Sequence, residues 1–483
     1  MSHNYGDDSP IAAFATTPGN SALTLIRCTG KGSIQMLASV FVSVKTKDAS
    51  LLADTPGNTV VHGWIVNAMS NEQGTMNNEQ GTENKVIEKI DEVLVSVFRA
   101  PKSYTGEDSL DICCHGGVSA GKAVMAALKN AGFCDALPGE FTFRAFMNGK
   151  LDLTRCESVM EIVNAKTETG RSHAVSRLSG SLQKEINDIK NQLVQVLSGA
   201  EIYLDYSEDE ISADVDEAAG KLPGKDIALE VLARLKKLSA SWQLERIYQE
   251  GITLVIAGRP NAGKSSLFNS LLKEDRSIVT EIPGTTRDWI EAWVSIEGIP
   301  IRLIDTAGLR ETDNSVEKIG VERSRELLQE ADIVLYLIDG TQGITEEDFI
   351  ECEKGAWHLL VWNKCDVVPM PSPFPLTGFS PIGVSAKTGE GLTELYSAIV
   401  SSLSLHEYDR QASVALGTER QKNLVDAACS ALEEALILAD KDEPLDVIAP
   451  LLRDAVNSLG EVTGEVSTAD ILEEMFSRFC VGK

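Results

Sequence analysis

No apolar run in this 483-residue chain approaches the ~20 residues that a membrane-spanning helix needs, so no span is expected. The opening MSHNYGDDSP is polar and acidic and has neither a basic region, nor an apolar core, nor arginine-rich amphipathy, so no signal or transit peptide is visible. The nine cysteines are odd in number, scattered and without a C-x-x-C pair. That usage fits reduced thiols of a cytoplasmic protein better than a disulfide framework. Six histidines without ligand spacing argue against a histidine metal centre. Basic residues are scarce as well: 44 Lys and Arg stand against 72 Asp and Glu, a formal net charge of −28. Phosphate contacts need clustered cations, so a broad nucleic-acid face is not expected, although a local basic patch is compatible with the totals. Residues 201–220 hold eight acids and no base, a pattern that most often marks a solvated face.

A hydrophobic content of 43% with 24% charged residues is that of a globular protein, and the length asks for roughly two to four domains. Between residues 258 and 387 five short motifs fall in a fixed order: GRPNAGKS, PGTTRD, DTAG, NKCD and SAK. Gly258 to Ser265 fits the phosphate-loop pattern, following the apolar run Ile252 to Ala257 and opening the amphipathic stretch Ser265 to Leu272. Backbone N–H groups of such a loop, at a helix N-terminus, cradle phosphate. In that setting Lys264 neutralises β- and γ-phosphate oxygens and the Ser265 hydroxyl takes a Mg²⁺ position. Asp305 closes a second apolar run and can hold Mg²⁺ through water, while the Gly308 N–H can meet the γ-phosphate. Thr285 and Thr286 sit in a loop that can fold over that phosphate. The Asp366 carboxylate of Asn363-Lys364-Cys365-Asp366 can accept from guanine N1–H and its 2-amino group, whereas adenine leaves it unpaired. Ser385-Ala386-Lys387 offers a backbone N–H to guanine O6. GTP binding and hydrolysis are therefore expected.

Leu309 follows DTAG, where many GTPases carry a glutamine that orients the attacking water. An aliphatic side chain cannot do this. Two alternatives stand: Glu317 in a switch segment, or a monovalent cation near Asn261 doing the work of an arginine finger. Glu317 also suits the start of a helix at Glu317 to Gln329, where an acid meets the dipole.

Around these motifs the pattern is nested. Residues 11–120 alternate β-rich runs (Ala22 to Ile26, Val60 to Val66, Glu92 to Phe98, Leu110 to Cys113) with turns, then a helix near Ser119 to Asn130, which reads as an α+β domain. The polar repeat Asn71-Glu-Gln-Gly-Thr-Met-Asn, renewed at Asn78, reads as a hairpin extension. From about 151 the pattern is helical, with Leu182, Ile186, Ile189, Leu193 and Leu197 at a 3.5–3.6 spacing. Helical pattern resumes after 420, so the GTPase segment reads as an insertion.

The chain ends Phe479-Cys480-Val481-Gly482-Lys483 and carries Tyr104-Thr-Gly-Glu-Asp108, Cys114-His-Gly-Gly117, Pro138-Gly-Glu-Phe-Thr142, Arg144-Ala-Phe146 and Asn148-Gly-Lys-Leu-Asp-Leu153. With the five motifs, this set closely resembles the MnmE (TrmE) family of tRNA-modification GTPases over essentially the whole chain. The resemblance implies an α/β plus α multidomain fold. Residues 1–148 would form an N-terminal α+β tetrahydrofolate-binding and dimerisation domain. Residues 149–250 and 404–483 would form a helical domain, interrupted by a Ras-like P-loop GTPase domain at 251–403 with a mixed, mainly parallel sheet. It further implies a homodimer that works with the flavoprotein MnmG (GidA) in a heterotetramer or larger complex, FAD residing on that partner. The product would be an aminomethyl-type group at C5 of the wobble uridine of certain tRNAs. A tetrahydrofolate derivative, in 5-formyl or methylene form, would supply the carbon, and K⁺ and Mg²⁺ would assist GTP hydrolysis.

By motif, the resemblance places Arg27, Glu107, Lys150 and Lys483 at the folate and Asn261, Thr280, Ile282 and Thr285 at K⁺. It places Ser265 and Thr286 at Mg²⁺ and Glu317 at the attacking water, with Lys264 also catalytic. The remaining GTP contacts would come from Ala262, Gly263, Ser266, Asp305, Thr306, Ala307, Gly308, Asn363, Lys364, Asp366, Ser385, Ala386 and Lys387. Cys480 is a candidate functional thiol. Where the family usually has Pro-Gly-Arg-Gly-Gly, this chain reads Pro18-Gly19-Asn20-Ser21-Ala22, and an arginine is lost. The alternative is a K⁺-dependent GTPase switch in ribosome assembly without one-carbon chemistry. Such proteins usually append a basic RNA-binding domain, which this sequence lacks, and an iron–sulfur maturation role would need a cysteine–histidine cluster that is absent.

Overall fold

The computed structural model describes the chain except residues 1–3, 18, 45–50, 69–86, 206–221, 274–276, 279–289, 306–327, 329, 347, 350–358, 376–379, 404–413, 467–468 and 483. Contacts divide it into two compact units, residues 1–156 with 463–483, and residues 157–462.

The first unit is built on a seven-stranded sheet: β1 (Ile11–Phe14), β2 (Leu23–Thr29), β3 (Phe41–Ser43), β4 (Thr59–Ala68), β5 (Ile87–Phe98), β6 (Ser109–His115) and β7 (Cys134–Asp135). The order is β3-β4-β5-β6-β2-β1-β7. All pairs are antiparallel except β1 with β7. Alternation on β2 sets its two faces. Ile26 and Cys28 point into a core shared with α1 (Ser33–Ala38) and α3 (Val118–Ala131), while Arg27 faces the other way and pairs with Asp111 of β6. The short helices α2 (Leu51–Asp54) and α4 (Glu140–Met147) complete the N-terminal part, and α5 (Leu153–Asn164) begins in this unit.

Helix α6 (Glu168–Leu178) of the second unit is capped by Thr167, whose side chain accepts from the Gly170 N–H at 3.2 Å. Helices α7 (Ser181–Asp205) and α8 (Lys225–Glu250) follow. The five apolar positions read at helical spacing on α7 all lie in the helical core. After α8 comes a second seven-stranded sheet with β8 (Ile252–Gly258), β9 (Ser277–Ile278), β10 (Ile290–Ile296), β11 (Ile299–Asp305), β12 (Ile333–Asp339), β13 (Leu359–Asn363) and β14 (Ile382–Val384), together with α9 (Lys264–Lys273) and α10 (Leu392–Ser402). Its order is β14-β13-β12-β8-β11-β10-β9, parallel as far as β11 and antiparallel beyond it. Every residue of β12 is buried, as expected of a central strand covered on both faces. Helices α11 (Glu419–Asp440) and α12 (Leu445–Thr463) then return to the core of α7 and α8. Helix α8 serves both cores: Val231 and Leu235 lie among the helices, Leu244 and Tyr248 against the parallel sheet.

The contact division differs from the sequence division at the C-terminus. Residues 463–483, read from sequence as the end of the helical domain, group with the N-terminal unit. The reason is local. Helix α13 (Ala469–Ser477) lies on α4, with the Phe143 and Phe476 rings 5.4 Å apart. Beyond it Val481 bridges Pro138 and the Gly139 N–H donates to the Cys480 carbonyl at 3.3 Å. Among the described residues no helix is long and apolar enough to cross a membrane.

Candidate functional site

The phosphate loop joins β8 to α9, as its sequence requires. Two glycines fix its path: Gly258 and Gly263 have φ of +138° and +97°. A Cβ on Gly263 would stand 2.2 Å from Asn363 Nδ2. The Lys264 ammonium donates to the carbonyls of Gly258 and Arg259 at 3.0 and 2.9 Å and is thereby held over the loop. Ser265 and Asp305, forty residues apart in sequence, meet: the Ser265 hydroxyl donates to Asp305 Oδ2 at 2.7 Å, and Asp305 is fully buried at the end of β11. A hydroxyl and a carboxylate so placed form the donor set that a hard divalent cation takes. Ser266 is exposed in the first turn of α9.

Asn363 ties three loops together. Its Nδ2 donates to the Ala262 carbonyl at 2.8 Å, and its Oδ1 accepts from the N–H groups of Lys364 at 2.9 Å and Ala386 at 3.2 Å. Lys364 has a left-handed φ of +65° and its ammonium pairs with Asp339 at 2.7 Å. Asp366 and Lys387 are exposed beside it. Ser385 is buried, its hydroxyl accepting from the Thr388 N–H at 3.2 Å, which closes the turn that presents Ala386. Asn261, Ala262, Gly263, Lys264, Ser265, Asp305, Asn363, Lys364, Ser385 and Ala386 are thus joined by short links into one loop system. Thr280, Ile282, Thr285, Thr286, Thr306, Ala307, Gly308 and Glu317 lie outside the described residues.

A second cluster lies in the N-terminal unit around the loop 99–108. The Arg27 guanidinium is 3.0 Å from Asp111. Two residues along the same strand, the Thr29 hydroxyl donates to Glu107 Oε2 at 3.2 Å. Glu107 also accepts from Arg144 at 3.3 Å, a buried guanidinium that holds Glu140 and the carbonyls of Asp7 and Ser9 as well. The Lys150 ammonium donates to the Pro101 carbonyl at 3.0 Å, and Asn148 Nδ2 to the Thr105 carbonyl at 2.8 Å. Glu107 and Lys150 therefore share the loop 99–108, and Arg27 pairs with Asp111 on the strand that follows it. Cys480 is exposed, and Lys483 is outside the described residues. Thr29, Asp111, Arg144 and Asp339 were not singled out as site residues by the sequence reading. Arg144 stands in a quoted motif, but nothing in its spacing announces Glu107 as a partner 37 residues away.

Two family models match. The one described as "MnmE helical domain" covers residues 153–480, and the one described as "GTP-binding protein TrmE N-terminus" covers residues 10–150. The proteins named "tRNA modification GTPase MnmE" include three close relatives. That of Treponema denticola is 40% identical over 497 residues, with 99% of this chain and 99% of the relative covered. That of Carboxydothermus hydrogenoformans is 39% identical over 488 residues, with 99% of this chain and all of the relative covered. That of Borreliella burgdorferi is 38% identical over 493 residues, with 100% of each chain covered. With both halves matched by the family's own models and relatives aligned end to end, the chain belongs to the MnmE (TrmE) family of tRNA-modification GTPases.

Proposed function

We propose that this GTPase acts as a cytoplasmic homodimer together with the flavoprotein MnmG (GidA), which carries FAD, to form an aminomethyl-type group at C5 of the wobble uridine of certain tRNAs. Residues 1–148 bind the folate and dimerise, 251–403 hydrolyse GTP, and the helical segments between and after them join the two. In the nucleotide site, the N–H groups of residues 261–266 and the Lys264 ammonium hold the β- and γ-phosphates. Ser265, Thr286 and Asp305 would hold Mg²⁺, a reading that the 2.7 Å link between Ser265 and Asp305 supports. Mg²⁺ supplies charge neutralisation between the β- and γ-phosphates when bound. Thr306, Ala307 and Gly308 approach the γ-phosphate and Glu317 orients the attacking water. Asn261, Thr280, Ile282 and Thr285 offer oxygens to K⁺, which supplies positive charge where it develops. Asp366 and Lys364 hold guanine, while Ser385, Ala386 and Lys387 present an N–H to O6.

In the N-terminal cluster the Glu107 carboxylate accepts from the pterin ring N–H and 2-amino group. Arg27, Lys150 and the terminal Lys483 meet the remaining polar and anionic parts. The folate supplies a one-carbon unit when bound. The observation that carries this reading over a bare GTPase switch is that Glu107 and Lys150 meet on the loop 99–108, with Arg27 held by Asp111 on the strand that follows it. The test is calorimetric titration of 5-formyltetrahydrofolate into the wild type and Glu107→Gln, which keeps an acceptor for Arg144. Saturable binding that the variant loses supports the reading. No binding to the wild type leaves a GTPase without one-carbon chemistry and overturns it.

A further inference from the structure

The strand β12 ends on Asp339, which belongs to none of the five nucleotide motifs, yet its two carboxylate oxygens are divided between distinct tasks. Oδ1 closes the turn that follows the strand, accepting from the Thr341 N–H at 2.9 Å and the Thr341 hydroxyl at 2.6 Å. Oδ2 accepts from the Lys364 ammonium at 2.7 Å. Asp339 is buried, its side chain 7% exposed, and Lys364 is half-buried at 35%. Burial works against the charged carboxyl, but donation from Lys364 and Thr341 outweighs it and holds Asp339 below the usual carboxylate range. The opposite end of the contact is equally constrained. Lys364 sits at φ +65°, a conformation that side-chain-bearing residues adopt at a cost, and its ammonium also approaches the Asn261 carbonyl of the phosphate loop at 3.4 Å. Lys364 is thus stretched from its own turn to a fixed anion, with its aliphatic stem spanning the gap between the β12 turn and the phosphate loop.

We propose that Asp339 is a positioning residue for guanine nucleotide: it pins the Lys364 side chain as a ledge for the base and a strut to the phosphate loop, and so sets nucleotide affinity without touching the nucleotide. This rests on the reading that Asn363 to Asp366 hold guanine. A flexible four-carbon stem loses rotamer freedom when it becomes such a ledge, and Asp339 imposes that loss before the nucleotide arrives. Asp339→Asn is a near-isosteric probe. With its amide oxygen turned to Thr341 it keeps the turn, and only the ammonium contact is lost.

The test measures binding of a fluorescent GDP analogue and steady-state hydrolysis of GTP and ITP by the full-length protein. Asp339→Asn is compared with Thr341→Val, which weakens the turn alone, and with Asp366→Asn, which alters the base-reading carboxylate. Expected for Asp339→Asn is roughly tenfold weaker GDP binding, the size of one charge-assisted contact. The loss should fall on KM and not on kcat, with GTP and ITP weakened by the same factor. Thr341→Val should bind near the wild-type level, and Asp339→Glu should recover part of the loss. Unchanged affinity in Asp339→Asn, or an equal loss in Thr341→Val, overturns the proposal while Asp366→Asn still changes base preference. If Asp366→Asn keeps the wild-type preference for guanine, the guanine reading itself falls and this inference with it.

Discussion

Asn363 illustrates how one side chain can hold a nucleotide site together. It is 2% exposed and makes three links to the backbones of the phosphate loop, the turn it begins and the Ser385 loop. Truncation leaves a buried carbonyl and two part-buried N–H groups unpaired, so Asn363→Ala is expected to weaken GDP binding roughly a hundredfold. Titration with a fluorescent analogue checks this; a loss under threefold would show that the loops are held by other means. The motif residues were legible because backbone geometry dictates them: only glycine fits at 263, with φ +97° and Asn363 against it. Asp339 and Arg144 were not legible, because each acts through a partner distant in sequence. The same holds for Glu161. It shares Arg177 with Glu245, at 2.8 and 2.7 Å, and His173 donates to the other oxygen of Glu245. Burial works against both acids. Glu161, with Oε1 unpartnered, is pushed up to about 7, while the donors around Glu245 outweigh burial and take it down to about 2. Between pH 4.5 and 7 folded Glu161 keeps a proton that the unfolded chain has released, so its contribution falls as pH rises through that window, by about 3 kcal/mol. Glu161→Gln should remove that decline. Urea unfolding of both proteins at pH 5 and pH 7.5 measures it, and parallel pH slopes would refute the assignment.

At the scale of elements, the strands that carry the nucleotide motifs could be read from their apolar runs, with ends shifted by a residue or two once hydrogen bonding set them. Ile252 to Ala257 became Ile252–Gly258, and in the N-terminal unit Val60 to Val66 became Thr59–Ala68. Short strands were missed. β7 has two residues and β3 three, too few for a period to register. Packing between elements was also hidden. The antiparallel hairpin β10–β11 leads to Asp305, and it is held by the connection between α5 and α6. The Lys166 ammonium lies 3.4 Å from the centre of the Trp293 ring and donates to the Glu250 carbonyl at 3.1 Å. A Cβ on Gly298 would stand 2.5 Å from Thr169 Oγ1, so the hairpin turn fits closely there. A double-mutant cycle of Lys166→Met and Trp293→Leu, read by thermal unfolding, should give a coupling of about 1 kcal/mol, as for a partly shielded cation over an indole. Additive effects would mean that the two side chains are neighbours without interaction.

For the whole molecule, the sequence showed a helical pattern interrupted by a GTPase segment, and the shared helix α8 shows how the interruption is accommodated. It did not show where the tail belongs, because the motif Phe479-Cys-Val-Gly-Lys483 has no period of its own. Its place is set by Phe476 and Phe479, 0% and 8% exposed, and by the Pro138–Val481 bridge. The tail packs on the N-terminal unit through these rings and the one bridge. Ending the chain at Arg478 removes a buried phenylalanine and the bridge, worth about 3–5 kcal/mol on the scale of buried Phe truncations. The loss should be confined to one unit. Calorimetry is expected to show the melting of the N-terminal unit lowered by several degrees, while GTP hydrolysis and the melting of residues 157–462, followed by nucleotide-dependent protection, stay at wild-type values. A uniform shift of both transitions would mean that the chain unfolds as a single body, in which the tail stabilises the nucleotide site and the folate cluster alike.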